Sequence, residues 1–154
     1  KKDRHCLCLA GNAGTVNCVD FGGRTETFKV EGIGDVFKMN VADIDGDGLE
    51  DCIFTTQNRL AIVRTDGKVI SEKEIEAENL DYPYVYRFSG TDCRIGLTDS
   101  AQSKMLLLAP DGSLSKGFPI AGDSPFSIVF AGADGFFLFA GTDNGALIKY
   151  KVQR

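Results

Sequence analysis

The sequence repeats one short pattern along its length: an aspartate, an apolar strand, a polar turn and a second apolar strand. The pattern begins at Asp51, Asp92 and Asp134, and these aspartates lie 41 and 42 residues apart. Repeats of this length are typical of the four-stranded blades of β-propellers. The repeat therefore predicts an all-β propeller built from similar antiparallel sheets.

The apolar segments inside the repeat are short and are bounded by Gly, Asp, Asn or Ser, which favours strands over helices. Residues 5–31 carry the same pattern with a Phe21-Gly-Gly turn. Short strands within residues 36–41, 84–88 and 126–130 precede the repeated hairpins, and we expect them to be the innermost strands. The strand count predicted for the four groups is three, four, four and three.

These groups define a β-propeller arc with two complete blades and two partial ones. We expect a single propeller fragment over residues 1–154, with blades at about 1–33 (partial), 34–80, 81–122 and 123–154 (partial). Independent propellers close about four to eight blades into a ring. We therefore expect the arc to be completed by the remaining blades of a parent chain or by homo-oligomerisation. A β-sandwich is the alternative fold, although its hairpins would not repeat at a fixed period.

One acidic loop carries the clearest chemical signal. Oxygen donors alternate along it at positions one, three, five, seven and nine, which are Asp43, Asp45, Asp47, Leu49 (through its carbonyl) and Asp51. Ca²⁺ prefers several such oxygen ligands, whereas zinc and copper prefer other donors. The loop is not an EF-hand, because Phe54 stands where that motif has its glutamate. An Asp/Gly-rich hairpin that holds no ion is the alternative.

The segment from Ala42 to Phe54 resembles the FG-GAP/VCBS repeat of integrin-α-like β-propellers, and it meets the pattern DxDxDGxxD at every signature position. The resemblance implies a structural calcium held by the five residues of the acidic loop, and use as an extracytoplasmic recognition module. The stretches before Asp92 and Asp134 keep only the final aspartate. One calcium per chain is therefore implied, with plain hairpins at those two positions.

Charge and composition narrow the range of functions. The net charge is −5, and this acid excess disfavours nucleic acid as a partner. No apolar run is long enough for a membrane span, and any signal peptide is expected to lie outside this sequence. The glycine-rich repeat and the calcium loop suggest a secreted, periplasmic or cell-surface protein. The ligand expected for such a module is an unidentified protein or carbohydrate.

The cysteine pattern indicates no zinc site. The chain has five cysteines without a CxxC pair, which are Cys6, Cys8, Cys18, Cys52 and Cys93. We expect buried thiols that pack as small apolar side chains. A disulfide that involves Cys18 and a metal-binding or catalytic thiol are the alternatives.

The sequence indicates no catalytic residues. His5 is the sole histidine and is expected to be a surface or strand residue, so no Ser-His-Asp set can be built without it. Alternating glutamates in residues 71–79 are expected to form a solvated edge strand followed by a loop. Tyr82, Tyr84 and Tyr86 share one face if extended, and can pack between blades or contact a sugar ring.

We therefore predict a calcium-binding propeller module that acts as a non-catalytic binding or structural scaffold. The alternative is a portion of a propeller enzyme, such as a polysaccharide lyase or a quinoprotein-like enzyme. In that case the catalytic residues would lie outside this chain.

Overall fold

A computed structural model describes residues 6–34, 37–90, 92–130, 135–142 and 144–153. These residues form fourteen strands and one 3-10 turn, Asn12–Gly14. The strands make four antiparallel sheets of three, four, four and three strands, which confirms the predicted propeller arc. No helix in this part of the chain is long and apolar enough to cross a membrane. His5 and Asp134 lie outside the described residues.

Each sheet is a meander in which consecutive strands are neighbours. The first sheet contains β1 (Cys6–Ala10), β2 (Thr15–Asp20) and β3 (Thr25–Lys29). The second contains β4 (Lys38–Ala42), β5 (Asp51–Thr55), β6 (Arg59–Arg64) and β7 (Val69–Glu74). The third contains β8 (Tyr84–Arg87), β9 (Cys93–Asp99), β10 (Lys104–Leu108) and β11 (Ile120–Ala121). The fourth contains β12 (Phe126–Phe130), β13 (Gly135–Gly141) and β14 (Leu147–Gln153).

The outer strand of the third sheet differs from the sequence expectation. The repeat predicts a third strand directly after the Asp111-Gly turn, but Leu114 makes only an isolated bridge to Leu108. The strand proper, β11, has two residues and follows Pro119. Between them the chain leaves the sheet edge in a turn, in which Phe118 N–H donates to the Ser115 carbonyl at 3.1 Å and Gly117 has a φ of +87°.

The core consists of three apolar clusters, each between two successive sheets. Alternation along the strands divides the side chains between these clusters, because successive residues point to opposite faces. In β5, Phe54 packs toward the first sheet and Ile53 toward the third. In β10, Leu106 packs toward the second sheet and Leu107 toward the fourth. The two inner sheets are therefore covered on both faces.

Candidate metal centre

The acidic loop connects β4 to β5, directly after the innermost strand of the second sheet. Ala42 pairs with Asp51 at the end of the ladder, and the residues between them leave the sheet as a compact turn. Asp43 organises this turn, since its carboxylate accepts hydrogen bonds from the N–H groups of Gly46 (2.7 Å) and Gly48 (3.1 Å). Gly48 has a φ of +83°, a conformation that disfavours residues with a side chain.

The next two acidic side chains repeat the same local contact. Asp45 Oδ1 accepts the N–H of Asp47 at 3.1 Å, and Asp47 Oδ1 accepts the N–H of Leu49 at 2.8 Å. Aspartates commonly bond to the backbone two residues onward in this way. Each carboxylate is thereby fixed in direction, and the Leu49 side chain is left exposed.

The loop brings three of the four predicted carboxylates together. One oxygen each of Asp43, Asp45 and Asp51 lies within 4.8 Å of the others. Asp47 does not belong to this group, and its Oδ2 lies 3.1 Å from Arg64. Three carboxylates this close repel one another unless a cation or a hydrogen-bond donor lies among them.

Asp51 is the most constrained member of the group. Its side chain is 1% exposed, Oδ2 accepts the N–H of Ile44 at 3.1 Å, and Oδ1 is buried with no hydrogen-bond partner. The pKa of Asp51 is raised from 3.8 to about 6, chiefly by burial and to a smaller extent by the nearby Asp45 and Asp47 charges. A buried carboxylate oxygen without a partner is expensive to maintain.

Arg64 is the counter-charge that sequence reasoning missed. It ends β6 opposite Asp51 in the ladder, and its Nη2 donates to Asp45 Oδ2 at 2.6 Å. This hydrogen bond lowers the pKa of Asp45. Hairpin register could have revealed Arg64, because a tight turn at Gln57-Asn58 pairs Thr55 with Leu60 and therefore places Asp51 opposite Arg64.

A second arginine ties the loop to the neighbouring sheet. Arg87, at the end of β8, donates from Nη2 to the backbone carbonyl of Asp43 at 2.7 Å. The Sγ of Cys93, from the start of β9, lies 3.7 Å from the same carbonyl oxygen. The loop is therefore anchored at its first residue by the third sheet. Sequence reasoning missed this contact because it joins residues 44 positions apart.

The donor set is chemically suited to a hard divalent cation. All the converging groups are carboxylate oxygens, and the unpartnered Asp51 Oδ1 is the kind of atom that a bound cation satisfies. Nitrogen or sulfur ligands, which zinc and copper favour, do not belong to this group. These three carboxylates therefore suit a hard divalent cation, whereas Asp47 lies outside the group and Arg64 already pairs with Asp45.

A second buried carboxylate, Asp99, shows what a purely structural role looks like. It is 0% exposed, and its oxygens accept N–H groups from Glu78 (2.8 Å), Asn79 (3.2 Å) and Ala101 (3.1 Å). These bonds fix the segment that connects the second and third sheets. Asp99 needs no ion, since backbone donors already meet both of its oxygens.

The tyrosines do not form one uniform surface. Tyr86 stacks on Phe126 with ring centroids 5.4 Å apart, and its hydroxyl donates to the Phe126 carbonyl. Burial raises the pKa of Tyr86. Tyr82 and Tyr84 are 52% and 43% exposed. Tyr86 thus packs between sheets, while the other two remain open to solvent.

The hairpin at the corresponding position of the third sheet is short. Phe88 N–H donates to the Asp92 carbonyl at 2.7 Å, and Asp92 N–H donates to Ser89 Oγ at 3.1 Å. The chain therefore turns directly from β8 into β9. The equivalent hairpin of the fourth sheet falls mainly outside the described residues.

Comparison with known proteins agrees with this architecture at the level of the fold. No family model matches the chain, and no curated protein matches it by sequence. Solved structures do match it: BBS1N in complex with ARL6DN is 15% identical, with a TM-score of 0.63 over 96% of this chain and 49% of that one. A protein of unknown function from Bacteroides caccae is 18% identical, with a TM-score of 0.51 over 100% of this chain and 61% of that one.

A third similar structure is catalytically inactive virginiamycin B lyase from Staphylococcus aureus with quinupristin. It is 12% identical, with a TM-score of 0.54 over 99% of this chain and 57% of that one. The fold is that of a β-propeller arc, and the chain spans about half to three fifths of the length of these similar structures. Identities this low show the fold alone.

Proposed function

We propose that this chain is a calcium-binding β-propeller module of a larger protein and acts as a non-catalytic binding or structural scaffold. The observation that carries the proposal is that Oδ1 of Asp51 is buried without a hydrogen-bond partner, while the Asp51 carboxylate lies beside those of Asp43 and Asp45. A calcium ion would bind this oxygen and neutralise the cluster. The residues proposed as ligands are Asp43, Asp45, Asp47, Asp51 and the Leu49 carbonyl.

The role of the ion would be to stabilise the loop. Ion binding couples to local folding when the ligands otherwise repel one another. Because Arg87 attaches Asp43 to the third sheet, an ordered loop also supports the contact between two blades. Extracellular calcium modules bind with Kd values of about 0.1 to 1 mM. We propose a similar affinity and a secreted, periplasmic or cell-surface location.

Thermal unfolding with 2 mM calcium and with chelator would test the calcium site. We expect calcium to raise the Tm of the wild type and to leave the Tm of Asp51→Asn unchanged. Asp111→Asn is the matched control, because Asp111 lies in an exposed turn of another sheet, where it accepts the N–H of Ser113. The Tm of this variant should rise with calcium as much as that of the wild type. An unchanged wild-type Tm, together with no heat of binding by calorimetry, would disprove the site.

The binding role rests on the architecture. BBS1N, a similar structure, is in complex with ARL6DN, which favours a protein as the partner of this module. The enzyme alternative rests on the lyase structure, at 12% identity.

The mass of the protein in solution would show whether a second copy completes the arc. In the full-length protein, deletion of this module should abolish binding of the partner and leave any enzymatic turnover unchanged. That outcome would support the scaffold role.

A further inference from the structure

Three cysteine thiols meet at the contact between the first and second sheets. Cys8 comes from β1, Cys18 from β2 and Cys52 from β5, and one sulfur of each lies within 4.8 Å of the others. The sequence separates Cys52 from the other two by more than thirty positions, so only the packing of the sheets joins them. This cluster is distinct from the acidic loop.

Cys8 and Cys18 are the closer pair. They lie directly opposite each other in the antiparallel ladder, and their Sγ atoms are 2.7 Å apart. Opposed residues in an antiparallel ladder have Cα atoms about 4.5–5.5 Å apart, which falls within the Cα range of a disulfide. The two sulfurs are adjacent, and a disulfide, with its S–S bond of about 2.05 Å, needs only a small closing movement.

We propose that Cys8 and Cys18 are an oxidisable pair that forms a cross-strand disulfide between β1 and β2, while Cys52 remains a thiol. The two thiols differ in access, because Cys8 is half-buried whereas Cys18 is 5% exposed. Cys8 therefore meets an external oxidant first. Cys18 then closes the bond from inside the sheet contact.

The reaction needs a disulfide oxidant, such as oxidised glutathione. The Cys8 thiolate attacks one sulfur of the oxidant, which forms a mixed disulfide and releases one thiolate. The Cys18 thiolate then attacks the Cys8 sulfur and displaces the second thiolate. Two electrons pass to the oxidant, two protons leave the cysteines, and two molecules of the reduced thiol result.

A soft-metal site built from all three sulfurs is less favoured. Metal binding requires thiolates, and Cys18 and Cys52 lie in an apolar cluster with Val16, Phe54 and Val63. Three thiolates around one cation would leave net negative charge buried there, which is costly without further partners. A disulfide is neutral and suits these surroundings.

Intact-mass measurement after incubation with oxidised glutathione would test the proposal. We expect the wild type to lose about 2 Da, because two hydrogens leave when an S–S bond forms. Cys8→Ser and Cys18→Ser should show no such loss. Cys6→Ser and Cys52→Ser are the matched controls and should lose the same mass as the wild type. After digestion with trypsin and chymotrypsin, the peptide that contains Cys8 should remain linked by a disulfide to the peptide that contains Cys18.

Three outcomes would overturn the proposal. One is a linked peptide that contains Cys52 or Cys6. Another is a wild type that retains its full thiol count after oxidation, with circular dichroism showing that it is folded. The third is stoichiometric copper(I) or zinc binding that Cys52→Ser abolishes, which would assign the cluster to a metal. All three readouts are independent of calcium, so failure of the acidic loop to bind an ion leaves this test unaffected.

Discussion

Arg64 lies opposite Asp51 in the β5–β6 ladder, yet its guanidinium reaches past Asp51 to Asp45 and Asp47. The Oδ1 of Asp51 is left buried and without a hydrogen-bond partner. Arg64 thus supplies a positive charge to Asp45 and Asp47 but not to Asp51. A cation bound in the loop would neutralise the Asp51 carboxylate.

The first prediction concerns pH in the metal-free protein. The pKa of Asp51 is raised from 3.8 to about 6 in the folded state, so the folded protein holds this proton more tightly than the unfolded one. Its contribution to stability is therefore lost as pH rises from about 4 to about 6. In chelator, Asp51→Asn should have the same free energy of unfolding as the wild type at pH 4 and exceed it by about 1–3 kcal/mol at pH 7.

Urea denaturation at both pH values would measure this difference. Adding 2 mM calcium at pH 7 should narrow the difference by about 1–2 kcal/mol, because only the wild type can then use the ion. Equal stabilities of the two proteins at pH 7 in chelator would mean that Asp51 carries no burial penalty.

The second prediction concerns Arg64→Gln. Because Arg64 competes with a cation for Asp45 and Asp47, its removal should strengthen calcium binding by about twofold to fivefold, as expected for one partly exposed charge. Calorimetric titration at low salt would measure the change in Kd. Arg94→Gln is the matched control, since Arg94 forms a comparable ion pair with Asp92 on the third sheet. Weaker binding by Arg64→Gln would instead assign Arg64 to the support of the loop.

The third prediction concerns the link between the loop and the third sheet. Arg87→Met removes the hydrogen bond to the Asp43 carbonyl while it keeps most of the side-chain length. We expect a loss of about 0.5–1.5 kcal/mol in the free energy of unfolding, the usual range for a hydrogen bond, because this contact is exposed to solvent. Urea denaturation in calcium would measure it. No loss of stability would show that the contact contributes nothing to the packing of the two sheets.

The fourth prediction concerns the contact between the third and fourth sheets. A Cβ added at Gly96 would lie 2.4 Å from a Tyr86 ring carbon and 2.9 Å from a Phe126 ring carbon. Gly96→Ala should therefore destabilise the protein by about 1–3 kcal/mol, the usual range for an overpacked core. Gly90→Ala is the control, because nothing lies within 4 Å of its added Cβ.

Thermal unfolding of both glycine variants would check this prediction. In a double-mutant cycle, Gly96→Ala should cost less in a Tyr86→Leu background than in the wild type, since that background lacks the ring that the new methyl group meets. A fully stable Gly96→Ala would contradict the packing of Tyr86 against this strand.

The strand pattern and the order of the sheets could be predicted from the sequence, because the repeat and the short apolar runs are local signals. The acidic loop was equally visible, since its aspartates lie within nine consecutive residues. The contacts that complete the site were not. Arg87 reaches Asp43 through sheet packing. Outside the site, Asp99 likewise accepts hydrogen bonds from the backbone of a distant segment. Such contacts depend on how neighbouring blades stack.

The contact between Cys8 and Cys18 was also not predictable from the sequence. The spacing of Cys8 and Cys18 gives no indication of a pair, because their apposition depends on the length of the 3-10 turn between β1 and β2. The interruption before β11 was also not predicted, since the sequence alone did not show where the chain would leave the sheet.

The three apolar clusters that alternate with the four sheets also have a kinetic consequence. Each end sheet rests on one cluster, whereas each inner sheet rests on two. Opening of an end sheet therefore exposes a single cluster and leaves the others intact, as in linear arrays of repeats. Amide hydrogen exchange should be graded from the ends inward, with β5 and β10 the slowest to exchange.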